Sequence, residues 1–378
     1  MDPMIQLKLP LMQVHIADIH FGVIDPKVTY EILYEQFLKP ISRIDFKLLS
    51  IDGDLFDRKF FANHPAVQYA MKFVSDCCML CKARNAVLII LEGTQSHDNF
   101  QIELFRDVLD PAVDVRIVTT ARFEEVYGYK ILCLPEEYGK PETYYQNVLK
   151  EAYDMCILHG TVVGSVYGAK QENLNSTKYP VFSIDSFAGC RGPIVAGHVH
   201  KSICLNKYIY YVSNPIRDKF GEEEPKGFAV VWISPCGHCF RFIPIESFNY
   251  ITIPFMDIVS MDVDKMVQFL DAKLADGVTH IRIDMMGISA EQEHLVEIIR
   301  KYYMLNPNVV FKRAEIYTGG ANGGDDTPEV KDLHDGQFAF VLDNTVDPMR
   351  KFIQYVNANE GEGFITIESL QALLKGAN

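Results

Sequence analysis

Histidines and aspartates recur in five short polar motifs: Asp18 and His20 in Ala-Asp-Ile-His-Phe-Gly, Asp54 in Asp-Gly-Asp-Leu-Phe-Asp, Ser96, His97 and Asp98 in Gly-Thr-Gln-Ser-His-Asp, His159 in Leu-His-Gly, and His198 and His200 in Gly-His-Val-His. Neutral imidazoles and carboxylates are the donors of divalent-metal sites of mixed nitrogen and oxygen type, and one carboxylate can bridge two ions. Such ligands work when held on rigid strand ends. The alternate spacing of Asp18 with His20, and of His198 with His200, would put both side chains on one side of an extended segment, where a pair can converge.

The elements around the motifs supply those strand ends. Apolar runs predict strands at Met12–Ala17, Phe46–Ile51, Ala86–Leu91, Lys130–Leu134, Met155–Leu158, Pro193–Ala196 and Tyr208–Val212, with Gly227–Ile233 and Cys239–Ile245 forming a hairpin. Helices are expected at Lys27–Lys39, Pro65–Lys82 and Pro141–Ala152, which makes residues 1–250 an α/β domain. From 251 to 317 the pattern becomes helix, strand, helix, strand: Val263 to Leu274 mark one helical face, Ile281, Ile283 and Met285 alternate, Ser289 with Gln292 gives a capping box, and Val309–Ile316 closes the unit. Residues 318–328, rich in Gly and Asp, read as a linker, and 329–378 as a helical tail. There is no internal repeat.

The chain has 378 residues, 48% of them hydrophobic, enough to bury full cores and to exclude wholesale disorder. Nine cysteines, odd in number and mostly in apolar segments, fit reduced thiols and a cytoplasmic setting. Cys236-Gly-His-Cys239 has no second pair nearby and reads as a hairpin turn rather than a zinc knuckle. No run of about 18 apolar residues occurs, so no membrane span is expected. A net charge of −14 speaks, at first, against a protein that holds nucleic acid by itself.

Taken in order, D-x-H-x-G, G-D-x-x-D, a G-N-H-D-like segment, an isolated His and G-H-x-H resemble the calcineurin-like metallophosphoesterase superfamily. Within it the chain is similar to the SbcD-type nuclease subunits of double-strand-break repair complexes, bacteriophage recombination endonuclease subunits included. His15 ahead of the first motif, Leu-Phe-Asp in the second, and the stretch from Tyr211-Val-Ser-Asn-Pro through Phe220-Gly-Glu to Lys226-Gly-Phe carry this narrower likeness, which spans residues 10–316. It implies a two-sheet αββα sandwich with a small α/β capping domain and a helical tail. It further implies one metal on Asp18, His20 and His200, a second on His159 and His198, Asp54 between them, and His97 as the catalytic histidine. The asparagine ligand of the family is absent: the Gly93 to Asp98 loop is two residues longer, Ser96 falls at that position, and Thr94 or Gln95 are alternatives.

Two divalent ions about 3.5–4 Å apart acidify a water and bind phosphoryl oxygens, which leaves His97 to serve the leaving oxygen, with Asp57 or Asp98 to orient its ring. Carboxylate and imidazole ligands with water-filled positions suit Mn²⁺, with Mg²⁺ as an alternative. His15 is expected to be a packed, hydrogen-bonded residue rather than a ligand, Asp52 to point away from the metals, and Glu222–Glu224 to be a solvated loop. The resemblance implies a DNA exonuclease and endonuclease, acting as a homodimer with an SbcC-type coiled-coil ATPase in the cytoplasm of a bacterium or phage-infected cell. Two alternatives stand beside it: a phosphoesterase for small molecules or nucleotides, and a weakly active structural subunit. The tail pattern of Met349, Phe352, Ile353 and Tyr355, then Ile365 to Leu373, offers an apolar face for the ATPase or for the chain's own domain.

Overall fold

In the computed structural model, residues 8–106, 108–165, 179–222 and 224–312 are described. The expected linker and tail, and the last residues of the expected final strand, lie outside these.

The strands are β1 (Leu11–Ile16), β2 (Leu48–Asp52), β3 (Val87–Leu91), β4 (Val115–Val118), β5 (Arg122–Val126), β6 (Tyr129–Leu134), β7 (Met155–His159), β8 (Thr161–Val162), β9 (Val181–Phe182), β10 (Ile194–Gly197), β11 (Ile203–Leu205), β12 (Ile209–Tyr211), β13 (Gly227–Ser234), β14 (Gly237–Pro244), β15 (Tyr250–Pro254), β16 (His280–Asp284) and β17 (Val309–Lys312). One six-stranded sheet runs β14-β13-β1-β2-β3-β4 and a second runs β11-β12-β10-β7-β6-β5. In the first, β1 to β4 are parallel; in the second, β12, β10, β7 and β6 are parallel. Antiparallel strands close the edges: β13 and β14 on the first sheet, β11 and β5 on the second.

Strand alternation builds the layers. In β3, Leu88 and Ile90 face the helices outside the first sheet, whereas Val87, Ile89 and Leu91 face the second sheet. In β7, Met155 and Ile157 meet them from the other side, and Cys156 and Leu158 face the outer layer of the second sheet. The result is a two-sheet αββα sandwich. Helix Pro65–Arg84 packs outside the first sheet; it starts at Pro65, where His64 accepts the Ala66 N–H, and stops at Asn85, whose left-handed backbone lets its N–H reach Cys81 and Lys82 carbonyls.

Three expectations change. The helix expected at Lys27–Lys39 is α-helical over Pro26–Leu33 and widens into a π turn at Tyr34–Leu38. The one expected at Pro141–Ala152 is a 3₁₀ turn, Glu142–Tyr145, followed by Gln146–Lys150. Beyond the sandwich, the small unit begins with a strand, β15, rather than a helix, and forms a parallel sheet β15-β16-β17 with helices Val263–Ala275 and Ala290–Tyr302. The Ser289–Gln292 capping box is present in both directions. All nine cysteines are free, and Cys236 and Cys239 are exposed on the β13–β14 hairpin. Among the described residues no helix is long and apolar enough to cross a membrane.

Candidate metal centre

The five motifs meet at the carboxyl ends of the parallel strands of both sheets, where open α/β sheets place their ligands. Asp18 and His20 follow β1, Asp54 follows β2, Thr94 to Asp98 follow β3, His159 ends β7, and His198 and His200 follow β10. Backbone hydrogen bonds stitch the first two loops together: Asp18 N–H to Gly53 O, His20 N–H to Asp54 O and Phe21 N–H to Leu55 O. Across the sandwich, the Asp18 carboxylate accepts the His198 N–H at 2.9 Å.

Convergence does not come from strand parity. Asp18, His20, Asp54 and His198 have φ of 53°, 51°, 51° and 87°, the left-handed region that side-chain-bearing residues avoid. Four such residues at one place is local strain of the kind concentrated at functional sites. The close approach also needs glycine: a Cβ on Gly93 would lie 2.1 Å from Asp54 Oδ1, and one on Gly53, at φ 91°, 2.1 Å from His159 Nδ1.

Of four groups of possible ligand atoms among the described residues, two gather these donors, Asp18 with His20 and His200, and Asp54 with His159 and His198. His20 Nε2 faces His200 Nε2 at 3.1 Å. Asp54 stands between the groups: its Oδ1 accepts the Thr94 N–H at 2.6 Å, while Oδ2 lies 3.2 Å from His159 Nε2 and 3.9 Å from His20 Nε2. The His159 ring is aimed by its Nδ1–H, which donates to Asp52 O at 2.8 Å. Asp52 itself turns its carboxylate to His15 at 2.9 Å, in a buried network with Gln13 and Ser50 between the sheets.

His97 lies against His20, ring centroids 4.6 Å apart. Its Nδ1–H donates to the backbone carbonyl of Asp57, so Nε2 is the nitrogen left for other chemistry. The Asp57 carboxylate pairs with Arg58 at 2.7 Å and sits in a group with His20 and His97. Asp98, expected beside the His97 ring, is elsewhere: its two oxygens accept the N–H groups of Phe56 and Gly93, bracing the β2 and β3 loops. Ser96, expected at the missing asparagine's position, is exposed on the turn, as is Gln95. Thr94 is the residue of this loop that turns inward, its Oγ1 lying 3.2 Å from Asp54 Oδ2, 3.4 Å from His159 Nε2 and 3.3 Å from His198 Nδ1.

Burial, then the neighbouring imidazoles, push His20 and His198 down to about 3, leaving both neutral and ready to donate lone pairs. Burial would raise Asp54, but the facing His159 and its hydrogen bond hold it well below the carboxylate range. Burial opposes charge on His159 too, and Asp54 overrides it, so that His159 is raised well above the ordinary histidine value.

The donor set fits divalent cations. Neutral imidazoles and carboxylates converge, His20 Nδ1 is buried without a partner, and Thr94 Oγ1, with one hydrogen, faces three polar atoms at once. Several of these clusters can therefore hold metal ions.

Two acids escaped the sequence reading. Glu136, after β6 in Leu-Pro-Glu-Glu, is buried with its Oε2 at 3.6 Å from His198 Nδ1; burial raises it to about 7. Its signal was its place, a strand end in the same layer as the other motifs. Glu222, expected in a solvated loop, is buried and lies 3.6 Å from His200 Nδ1 and 3.0 Å from Lys226 Nζ. Lys226 also donates to His200 O and Asn214 Oδ1, both at 2.7 Å, so the stretch from Asn214 to Lys226 clamps the His200 loop.

No protein-family model and no curated protein sequence matches this chain. Solved structures do: one crystal structure, aligned over 100% of its own length, covers 63% of this chain at 12% identity with a TM-score of 0.39. The crystal structure of Pseudomonas putida nuclease MPE covers 58% of this chain and 83% of its own, at 15% identity with a TM-score of 0.27.

Proposed function

We propose that the chain is a metal-dependent phosphodiesterase acting on DNA. The observation that carries this is the placing of one ionised carboxylate, Asp54, between two histidine groups, with a further histidine beside them whose Nδ1 is held by a backbone carbonyl, leaving Nε2 on the other side of the ring. Asp18, His20 and His200 would hold one divalent cation, His159 and His198 another, and Asp54 both. Bound there, the cations would supply Lewis acidity toward phosphoryl oxygens and a nucleophile from water at neutral pH.

The chain's own part is orientation and proton handling. The Asp57 carbonyl fixes the His97 ring, and protonated Nε2 donates to the leaving oxygen of the ester. The Asp52 carbonyl fixes His159, and Glu222 with Lys226 steadies His200. Mn²⁺ suits such a donor set, with Mg²⁺ as the alternative.

The motif order supports the narrower reading of an SbcD-type nuclease subunit in DNA end processing, repair or recombination. In that reading the chain dimerises and works with an SbcC-type coiled-coil ATPase, in the cytoplasm of a bacterium or of a phage-infected cell. The small unit with sheet β15-β16-β17 then acts as the capping domain. The test is cleavage of linear and circular DNA with Mn²⁺ or Mg²⁺, with and without the ATPase. Metal-dependent cleavage of DNA is expected; cleavage of a small ester but never of DNA would replace DNA with a small-molecule substrate.

A further inference from the structure

Glu136 has no task in the scheme above. It is 6% exposed, its Oε2 has no hydrogen-bond partner, and that oxygen points at His198, 3.6 Å from Nδ1. The next residue, Glu137, follows the opposite course: it is half-buried and bonded to the Ala121 N–H. A carboxylate is costly to bury without a partner, so a lone oxygen beside one member of a group of metal-type donors calls for a cation.

The group it faces is short of one ligand. Asp54, His159 and His198 supply donors, but the fourth neighbour is the Thr94 hydroxyl, neutral and already placed to donate its single hydrogen to Asp54. An anionic oxygen from the end of β6, the neighbour of β7 in the second sheet, would add both a donor atom and a charge.

We propose that Glu136 is the carboxylate ligand that completes the divalent-cation site of His159 and His198. This rests on the metal-dependent reading of the site and adds to it a residue that lies outside the five motifs. A rival role, a neutral carboxyl donating a hydrogen bond to His198, is separable because glutamine would keep the donor and lose the charge.

The test is Mn²⁺ binding to the full chain by calorimetry and electron paramagnetic resonance, for the unaltered protein, Glu136→Gln and Glu136→Ala. Metal-free melting curves check that each variant folds. The inference expects two ions on the unaltered protein and a second ion weakened on the order of 10-fold in Glu136→Gln and 100-fold in Glu136→Ala. Should Glu136→Ala fail to fold, Glu136→Gln decides. Two ions bound with unaltered affinity by the variants would overturn the role of Glu136 and leave the metal centre standing. No ion bound by the unaltered protein would overturn both.

Discussion

At the scale of single residues, the division of labour rests on which ring nitrogen each histidine turns inward. His159 and His97 both spend Nδ1–H on a backbone carbonyl, of Asp52 and Asp57, and both leave Nε2 for the centre. His159 meets Asp54, whereas His97 lies against the edge of His20. Replacing His97 by alanine should therefore keep cation binding and lose about 10²–10⁴ in rate; turnover at the original rate, measured at saturating Mn²⁺, would remove its role. A second expectation concerns protons. Burial raises Glu92 to about 8 and Glu136 to about 7, and each keeps one oxygen without a partner. An acid raised on folding binds its proton more tightly in the folded chain, so stability falls as pH rises from the unfolded value toward the folded one. His20 and His198, lowered to about 3, work the other way, but their gain is complete above about pH 6.5. His159, raised, loses its contribution as pH rises through its folded value. The metal-free protein should thus melt at a lower temperature at pH 8.5 than at pH 6.5; a rising melting temperature would show these acids to be ionised at no cost. The convergence of these candidate ligands was legible in the sequence because five short motifs carry them. Thr94 stood only as one of three candidates and Glu136 was not foreseen, since which residue of a loop turns inward, and which further strand end comes close, are settled only by packing.

Among the elements, strands were easiest to see where they are central. β2, β3 and β7 are buried along their whole length and read as apolar runs. β5 is an edge strand, Arg-Phe-Glu-Glu-Val, whose Arg122 and Glu124 pair with each other, and its polar alternation hid it. β15 was hidden likewise at the edge of the small sheet, by a half-exposed run ending in Pro254. The loops after β1 and β10 were expected to carry their paired donors on extended backbone, which they do not. Left-handed residues and glycines at close approach, and not strand parity, aim the side chains. Gly93→Ala tests this: its Cβ would meet Asp54 Oδ1 and N, so cation binding should be lost while far-ultraviolet circular dichroism keeps the sandwich signature. Unchanged affinity would mean that the two loops have room to spare.

For the whole molecule, the charge of −14 becomes easier to reconcile with a DNA substrate. Residues 318–378 hold ten acids and four bases, a net of −6, and the remainder carries only −8. Two divalent cations would place positive charge where a phosphate must sit, without a basic surface elsewhere. On that view the chain has weak DNA affinity of its own and relies on a second copy or the ATPase for its track along the duplex. Deleting residues 329–378, which lie outside the described structure, should abolish co-purification with the ATPase and spare hydrolysis of small phosphodiesters; intact complex formation would assign the tail to the chain's own domain. The central claim, that one carboxylate joins two cation sites for phosphodiester hydrolysis, meets its most direct test in Mn²⁺-dependent turnover of a small chromogenic phosphodiester by the unaltered protein and by Asp54→Asn. Turnover that requires Mn²⁺, stops with a chelator and disappears in Asp54→Asn is the predicted result. Turnover by Asp54→Asn at the unaltered rate, or none by the unaltered protein with cations bound, would contradict it.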